Sequence, residues 1–334
     1  MRFAKLTLTT RHFPGLVATG VAVLALSACS SSSLPTLTGF AAVRDQAART
    51  ESAASDRATQ LAEVATDCAS CSAALRAVAA ASDERLEALG GLWDPWGGTP
   101  PEGASAPAAV SEAPTDVSAF VAWLARTATR DLEIAADTNR TSADEARTLA
   151  AAALGRYASA VTIAQAYGID LDAGLDQALL INDRVNAASR QGVQTWSIDL
   201  FDAPAISPSF APSGKDLASS QELSSAVATW DCTASTLPQA QVSAGTLTDA
   251  YAVSGELLTR ADTALRAGAA DTRTPRCTLG FLDAPSLASN LLAADSAMLA
   301  SNSSDVRSAG ASAALADIQQ WAPRTSLPAL IGTR

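Results

Sequence analysis

Cys68-Ala69-Ser70-Cys71 is the first stretch of this chain whose residue types and spacing can do chemistry. Two thiols three positions apart can close and open a disulfide, and beside a strand–helix unit that spacing marks redox exchange. A second group is the carboxylates of the apolar-periodic segments. Glu84 and Glu87 sit one turn apart, and Glu51, Glu63, Glu133 and Glu145 are scattered elsewhere. A third is Trp93 and Trp96, two large aromatics set among glycines and prolines. Against these stands one gap: the single histidine is His12, and none follows it. Past that point Ser-His-Asp and Cys-His catalysis, His-ligated metal and His general bases are all excluded.

Each group has a plain reading beside the chemical one. Bundle di-metal sites draw Glu from two helices and a Glu-x-x-His from each of the other two. Glu84-Arg85-Leu86-Glu87 has the first half of that motif and no histidine to complete it. The isolated glutamates are therefore expected on solvated helix faces, and no metal or cofactor is expected. No strand pattern precedes Cys68, and no Trp or Pro flanks the pair. Apart from Cys29, the chain has Cys68, Cys71, Cys232 and Cys277, which admit three pairings. Local pairing gives 68–71 with 232–277; pairing 71–232 with 68–277 would staple the two halves of the chain together. Trp93 and Trp96 either cover an open bundle end or form an aromatic docking surface for a protein or glycan, as Trp does at interfaces.

The first eleven residues carry Arg2, Lys5 and Arg11, and Leu16 to Ala28 is an uncharged run. It is too short for a membrane span, which needs about 20 apolar residues. A basic start, a short apolar centre and small residues at the end describe a secretory signal. Leu26-Ser27-Ala28-Cys29, followed by a serine run, resembles the lipobox of bacterial lipoproteins. That resemblance implies cleavage before Cys29 and acylation of its thiol with chains of the palmitate type. Two or more such chains hold a protein on a membrane without spanning it. Residues 1–28 are then the signal and 29–36 the tether. The expected location is the extracytoplasmic face of the cell membrane, where thiols oxidise.

From residue 29 onward the chain carries 20 basic and 34 acidic side chains, a net charge of −14. Such a surface repels nucleic acid, so the expected partners are the membrane, reached through Cys29, and another envelope protein or glycan. Lys215 is the one lysine in this part. The preference for Arg and Ala points to a GC-rich genome of the actinobacterial kind. Aromatics make up 5% of the chain, so a core must be assembled from Ala, Leu and Val, each burying little area.

The elements that must position these residues are helical. Phe40, Val43, Ala47, Ala54, Ala58 and Leu61 recur at helical spacing, as do Val117, Phe120, Val121, Leu124, Ala128 and Leu132. Ser142-Ala143-Asp144-Glu145 has the form of a capping box. Helices are expected near 37–66, 71–89, 116–139, 143–167, 173–191, 216–233, 246–269, 284–301 and 304–321. Two Pro-containing stretches, 90–114 and 193–215, interrupt them. On the seventh-residue rule Leu258 and Leu265 share a buried face with Leu257, while Arg260 and Arg266 lie off it and face solvent. The plan divides into a helical domain at 37–192, a linker at 193–215, a second helical domain at 216–325 and a tail at 326–334.

Four antiparallel helices with a long crossover after the second make an all-α bundle, and the second half repeats the plan. The first half resembles the ferritin-like domains of unknown function found in actinobacterial lipoproteins. The resemblance rests on the lipobox, Ala73-Ala74-Leu75-Arg76, the Gly/Pro-rich crossover and the Ala-rich fourth helix ending at Tyr167-Gly168. It covers about residues 37–168 and, more weakly, 216–325. It implies a ferritin-like four-helix bundle, duplicated along the chain, and no activity. The expected function is a non-enzymatic binding or scaffold lipoprotein of the envelope. The alternative is a thiol–disulfide oxidoreductase using Cys68 and Cys71, or a degenerate metal-carboxylate protein.

Overall fold

Helical spacing becomes helix wherever caps and apolar stripes agree. The computed structural model describes residues 36–171 and 210–333, apart from 100, 105, 106, 211, 213, 215, 245–248, 278 and 280–282. The signal, Cys29, the tether up to residue 35, the helix expected at 173–191 and most of the linker lie outside the described residues. Within them run eight α-helices and no strand. They are α1 Gly39–Val64, α2 Ala69–Ala88, α3 Val117–Ala136 and α4 Ala143–Tyr167 in the first half. The second half holds α5 Gln221–Ala244, α6 Ala250–Arg266, α7 Ala284–Met298 and α8 Ser304–Trp321. The chain is thus an all-α helical bundle protein, as its periodicity predicts.

The caps explain the boundaries. Ser142 accepts from the Glu145 N–H while the Glu145 side chain accepts from the Ser142 N–H, closing the reciprocal box that starts α4. Gly168, at φ 66°, stops that helix in the left-handed conformation that a glycine adopts without strain. Asp116 and Asp283 cap α3 and α7. α5 runs past its expected end at 233, through Pro238. Proline has no N–H to give the carbonyl four residues back, at Ala234. Ser254 Oγ on α6 donates to that carbonyl at 2.7 Å, so the helix continues with its acceptor satisfied.

In each half two helical hairpins pack together. α1 pairs with α2 and α3 with α4, and α2 lies along α4; in the second half α5 pairs with α6, α7 with α8, and α5 lies along α7. The Gly/Pro-rich crossover is bound to α1 rather than looping free. Asp45 accepts from the Trp93 N–H, Arg49 donates to the Ala108 carbonyl, and Arg57 donates to the Ala113 carbonyl.

The two bundles are joined. α8 packs on α3 and α4, and Leu292, Leu315, Ile318 and Ile331 belong to the same core cluster as Phe120, Leu132 and Tyr157. Arg307 on α8 is buried and donates to the carbonyls of Ala135, Thr141 and Ser301, which locks the α3–α4 turn to the second bundle. The tail is packed as well. Ile331 is 2% exposed, and its N–H donates to the Ala151 carbonyl. The tail crosses α4 at Gly155, where a Cβ would stand 1.8 Å from the Ala329 carbonyl oxygen. Only glycine permits that approach.

Two expectations for α6 are corrected. Leu258 is 44% exposed, and Arg260 is buried. The buried stripe runs Val253, Leu257, Arg260, Ala261 and Ala264. One residue turns a helix by about 100°; the stripe is centred near Leu257, and Leu258 falls just outside it on the solvent side. Leu265 is partly buried at its edge and Arg266 is exposed.

Candidate functional site

At the centre of the first bundle each helix contributes one charged side chain. Glu51 from α1 accepts Arg85 Nε of α2 on Oε2 at 2.9 Å and Arg156 Nε of α4 on Oε1 at 2.7 Å. Arg156 Nη1 also donates to Asp131 Oδ2 of α3 at 2.7 Å. Ser82 and Ser159 accept from the remaining Arg85 nitrogens. Glu51, Arg85 and Arg156 are fully buried and Asp131 nearly so. The expectation that isolated glutamates are solvated therefore holds for Glu63, Glu84 and Glu87, which are exposed, and fails for Glu51. Burial pulls Arg85 below its ordinary pKa, with Glu51 opposing. Burial also acts against Arg156, but Glu51 and Asp131 together outweigh it and hold that group above its ordinary value.

The second bundle has the same kind of centre. Trp230 of α5 donates its indole N–H to Asp295 Oδ1 of α7 at 2.8 Å. Arg260 of α6 donates to Asp317 Oδ1 of α8 at 2.7 Å, stands 3.8 Å from Asp295 Oδ2 and stacks over the Trp230 ring. In both halves the second helix supplies Arg and the third supplies Asp. This correspondence is independent of the repeated order of helices and crossover that suggests a duplicated plan.

These centres do not fit a metal pair. Both Glu51 oxygens are engaged by guanidinium groups, and Arg156 places a positive charge between the two carboxylates a cation would need. Among the described residues no group of three or more His, Cys, Asp or Glu side chains is arranged to hold a metal ion. Sequence reading missed these clusters, yet a signal for them exists. Glu51, Asp131 and Arg260 fall at positions where the three- and four-residue spacing calls for an apolar side chain.

The cysteines pair as 68–71 and 232–277. Cys68 is the N-cap of α2: its sulfur accepts the Cys71 N–H at 3.2 Å and is half-buried, whereas Cys71 is buried against the Ala166 carbonyl. Trp93 and Trp96 lie half-buried in the turn after α2, and their neighbour Leu92 is 42% exposed. The backbone N–H of Trp93 ties this turn to Asp45 on α1. Two concavities lie among the described residues. One of about 380 Å³ lies under the tail, between Arg85, Gly155 and Ser159. A wider one of about 910 Å³ follows α5 and α7 beside Cys232 and Cys277, with Glu222, Thr229, Arg276 and Asn290 on its walls. Compared with protein-family models, with curated proteins and with solved structures, the chain matches none.

Proposed function

We propose that this chain is a non-enzymatic lipoprotein of the cell envelope, a ferritin-like pair of helical bundles tethered through acylated Cys29 at the outer face of the cytoplasmic membrane. The observation that carries the non-catalytic reading is where the ionisable groups point. Those at the bundle centres are turned inward and largely consumed by each other, so they hold helices together; Arg85 also lines the concavity under the tail, but its nitrogens are already engaged by Glu51, Ser82 and Ser159. No helix among the described residues is long and apolar enough to cross a membrane, in keeping with attachment by acyl chains. The exposed edge at Leu92 with Trp93 and Trp96, together with the acidic surface, suits a scaffold that meets another envelope protein or glycan. The anchor is tested by detergent phase partitioning. Wild-type protein is expected in the detergent phase and Cys29→Ser in the aqueous phase or as uncleaved precursor. Equal recovery of both in detergent removes the lipid anchor from this reading.

A second reading is favoured by the geometry of Cys68. A sulfur at a helix N-terminus that accepts a backbone N–H is stabilised as thiolate, which makes it a good leaving group. The 68–71 bridge also closes only a few residues. On the chain-entropy model it contributes about 2 kcal/mol, against about 4 kcal/mol for the 232–277 bridge. Thiol–disulfide exchange at Cys68 therefore predicts a selective outcome in graded glutathione. The 68–71 bridge opens first and reversibly, the helical fold is kept, and 232–277 stays closed. If both bridges open together, or the fold is lost when 68–71 opens, the bond is structural.

A further inference from the structure

We propose that the centre of the second bundle is a proton-binding site, in which Asp295 carries a proton and shares it with Asp317 beside the charged Arg260. This goes beyond the reading above and does not depend on the lipid anchor.

The argument begins with counting. Asp295 and Asp317 are 0% and 1% exposed, and Arg260 is 9% exposed. The groups that face Asp295 are the Trp230 indole from α5, Arg260 from α6 and Asp317 from α8. Two carboxylates thus share one guanidinium, which leaves one negative charge in excess in a dry interior. An unpaired buried charge is strongly unfavourable, and the usual escape is to neutralise it. The first bundle has no such excess at its centre: Glu51 and Asp131 face Arg85 and Arg156.

The hydrogen-bond inventory reaches the same place independently. Oδ1 of Asp295 takes the Trp230 N–H, and Oδ1 of Asp317 takes Arg260 Nη2. Oδ2 of Asp295 and Oδ2 of Asp317 are both buried with no donor. Arg260 Nη1, 3.8 Å from Asp295 Oδ2, is an unpartnered donor beside them, so two orphan acceptors face one orphan donor and the centre is still short of a hydrogen. A carboxyl proton on Asp295 turns one acceptor into a donor toward the other and removes the excess charge in the same step. Burial first, and then the neighbouring Asp317, push Asp295 well above the usual carboxylate range, and Arg260 and Trp230 only partly oppose this. Arg260 itself is held above its ordinary value once Asp317 and Asp295 outweigh its burial, so it stays charged. The site is then neutral: one guanidinium, one carboxylate and one carboxylic acid.

The sign of the linkage follows. The folded chain keeps a proton on Asp295 that the unfolded chain releases near about pH 4. Stability from this site is fully present below that pH and is lost as pH rises through the raised folded value. Over that window the folding equilibrium constant falls about tenfold per pH unit for one such proton. The contribution of this site to the second bundle is therefore largest in acid.

The test compares whole-protein unfolding of wild type and Asp295→Asn across the range from mild acid to mild alkali. Asparagine keeps the acceptor for Trp230 and supplies an N–H toward Asp317, so it imitates the protonated acid. The wild type is expected to lose stability relative to the variant by about tenfold per pH unit above about pH 4, until Asp295 ionises. Parallel profiles overturn the proposal. Infrared difference spectra of the wild type with ¹³C-labelled aspartate give a readout that does not rely on the variant folding. A protonated-carboxyl band should persist at about pH 6, where exposed carboxyls are ionised, and vanish on alkaline titration. Its absence at that pH overturns the proposal equally.

Discussion

Replacing Arg156 with methionine is expected to destabilise the protein by about 3–5 kcal/mol, the largest effect of any single charged position in the first bundle. The substitution keeps most of the side-chain volume but strips Glu51 Oε1 and Asp131 Oδ2 of their partners, both held at 2.7 Å in the wild type. Two carboxylates are then left in the interior with only Arg85 and the more distant Arg130, whose nearest Asp131 contact is 3.7 Å. A domain's whole stability is about 5–15 kcal/mol, so the variant should sit near the edge of folding. Arg147→Met is the control. Its bond to Asp144 at 2.7 Å is as short, but both groups are well exposed, and its loss should change stability by less than about 1 kcal/mol. Denaturant midpoints measure the difference. Replacing Glu51, Arg85, Asp131 and Arg156 together with apolar residues of similar size should recover most of the loss, since buried ion networks contribute less than the damage their disruption causes. If Arg156→Met and Arg147→Met shift the midpoint equally, the buried network is not what holds these four helices in place.

Leu257→Ala is expected to cost about 2–5 kcal/mol, and Leu258→Ala within about 0.5 kcal/mol, although the two residues are neighbours of one type. Leu257 is 1% exposed and belongs to the second core cluster, where truncation leaves a cavity. Leu258 is 44% exposed, so little area returns to water when it is shortened. Thermal or denaturant unfolding of the two variants decides the rotation of α6. A loss at 258 that matches or exceeds the loss at 257 would turn the helix by about 100° and take Arg260 out of the buried centre.

How far the sequence reaches can be seen from particular elements. The bounds of α4 and α8 are readable to the residue. α4 has a capping box and a terminal glycine, and both devices act within a turn of the residues that form them. The helical class and the pairing of helices into hairpins are likewise local patterns. α5 exceeds its expected end because Pro238 is usually a stop, and the serine that relieves it lies on another helix. Glu51 looks like a solvated acid in the sequence for the same reason: its partners are 34 and 105 residues away.

By itself, then, the sequence determined the helical class of the described residues, the capping box and bounds of α4, and that no histidine chemistry is open to the chain beyond His12. Hydrogen bonds four residues apart and side-chain types suffice for that. The tertiary structure alone decided that Cys68 pairs with Cys71 and Cys232 with Cys277, and that the 326–333 tail is packed against Gly155. It also decided that Arg260 meets Asp317 while Leu258 meets water. These outcomes depend on how each helix is rotated about its axis and which neighbours it meets. An alanine-rich stripe leaves that rotation open until charged groups from other helices find one another in the interior.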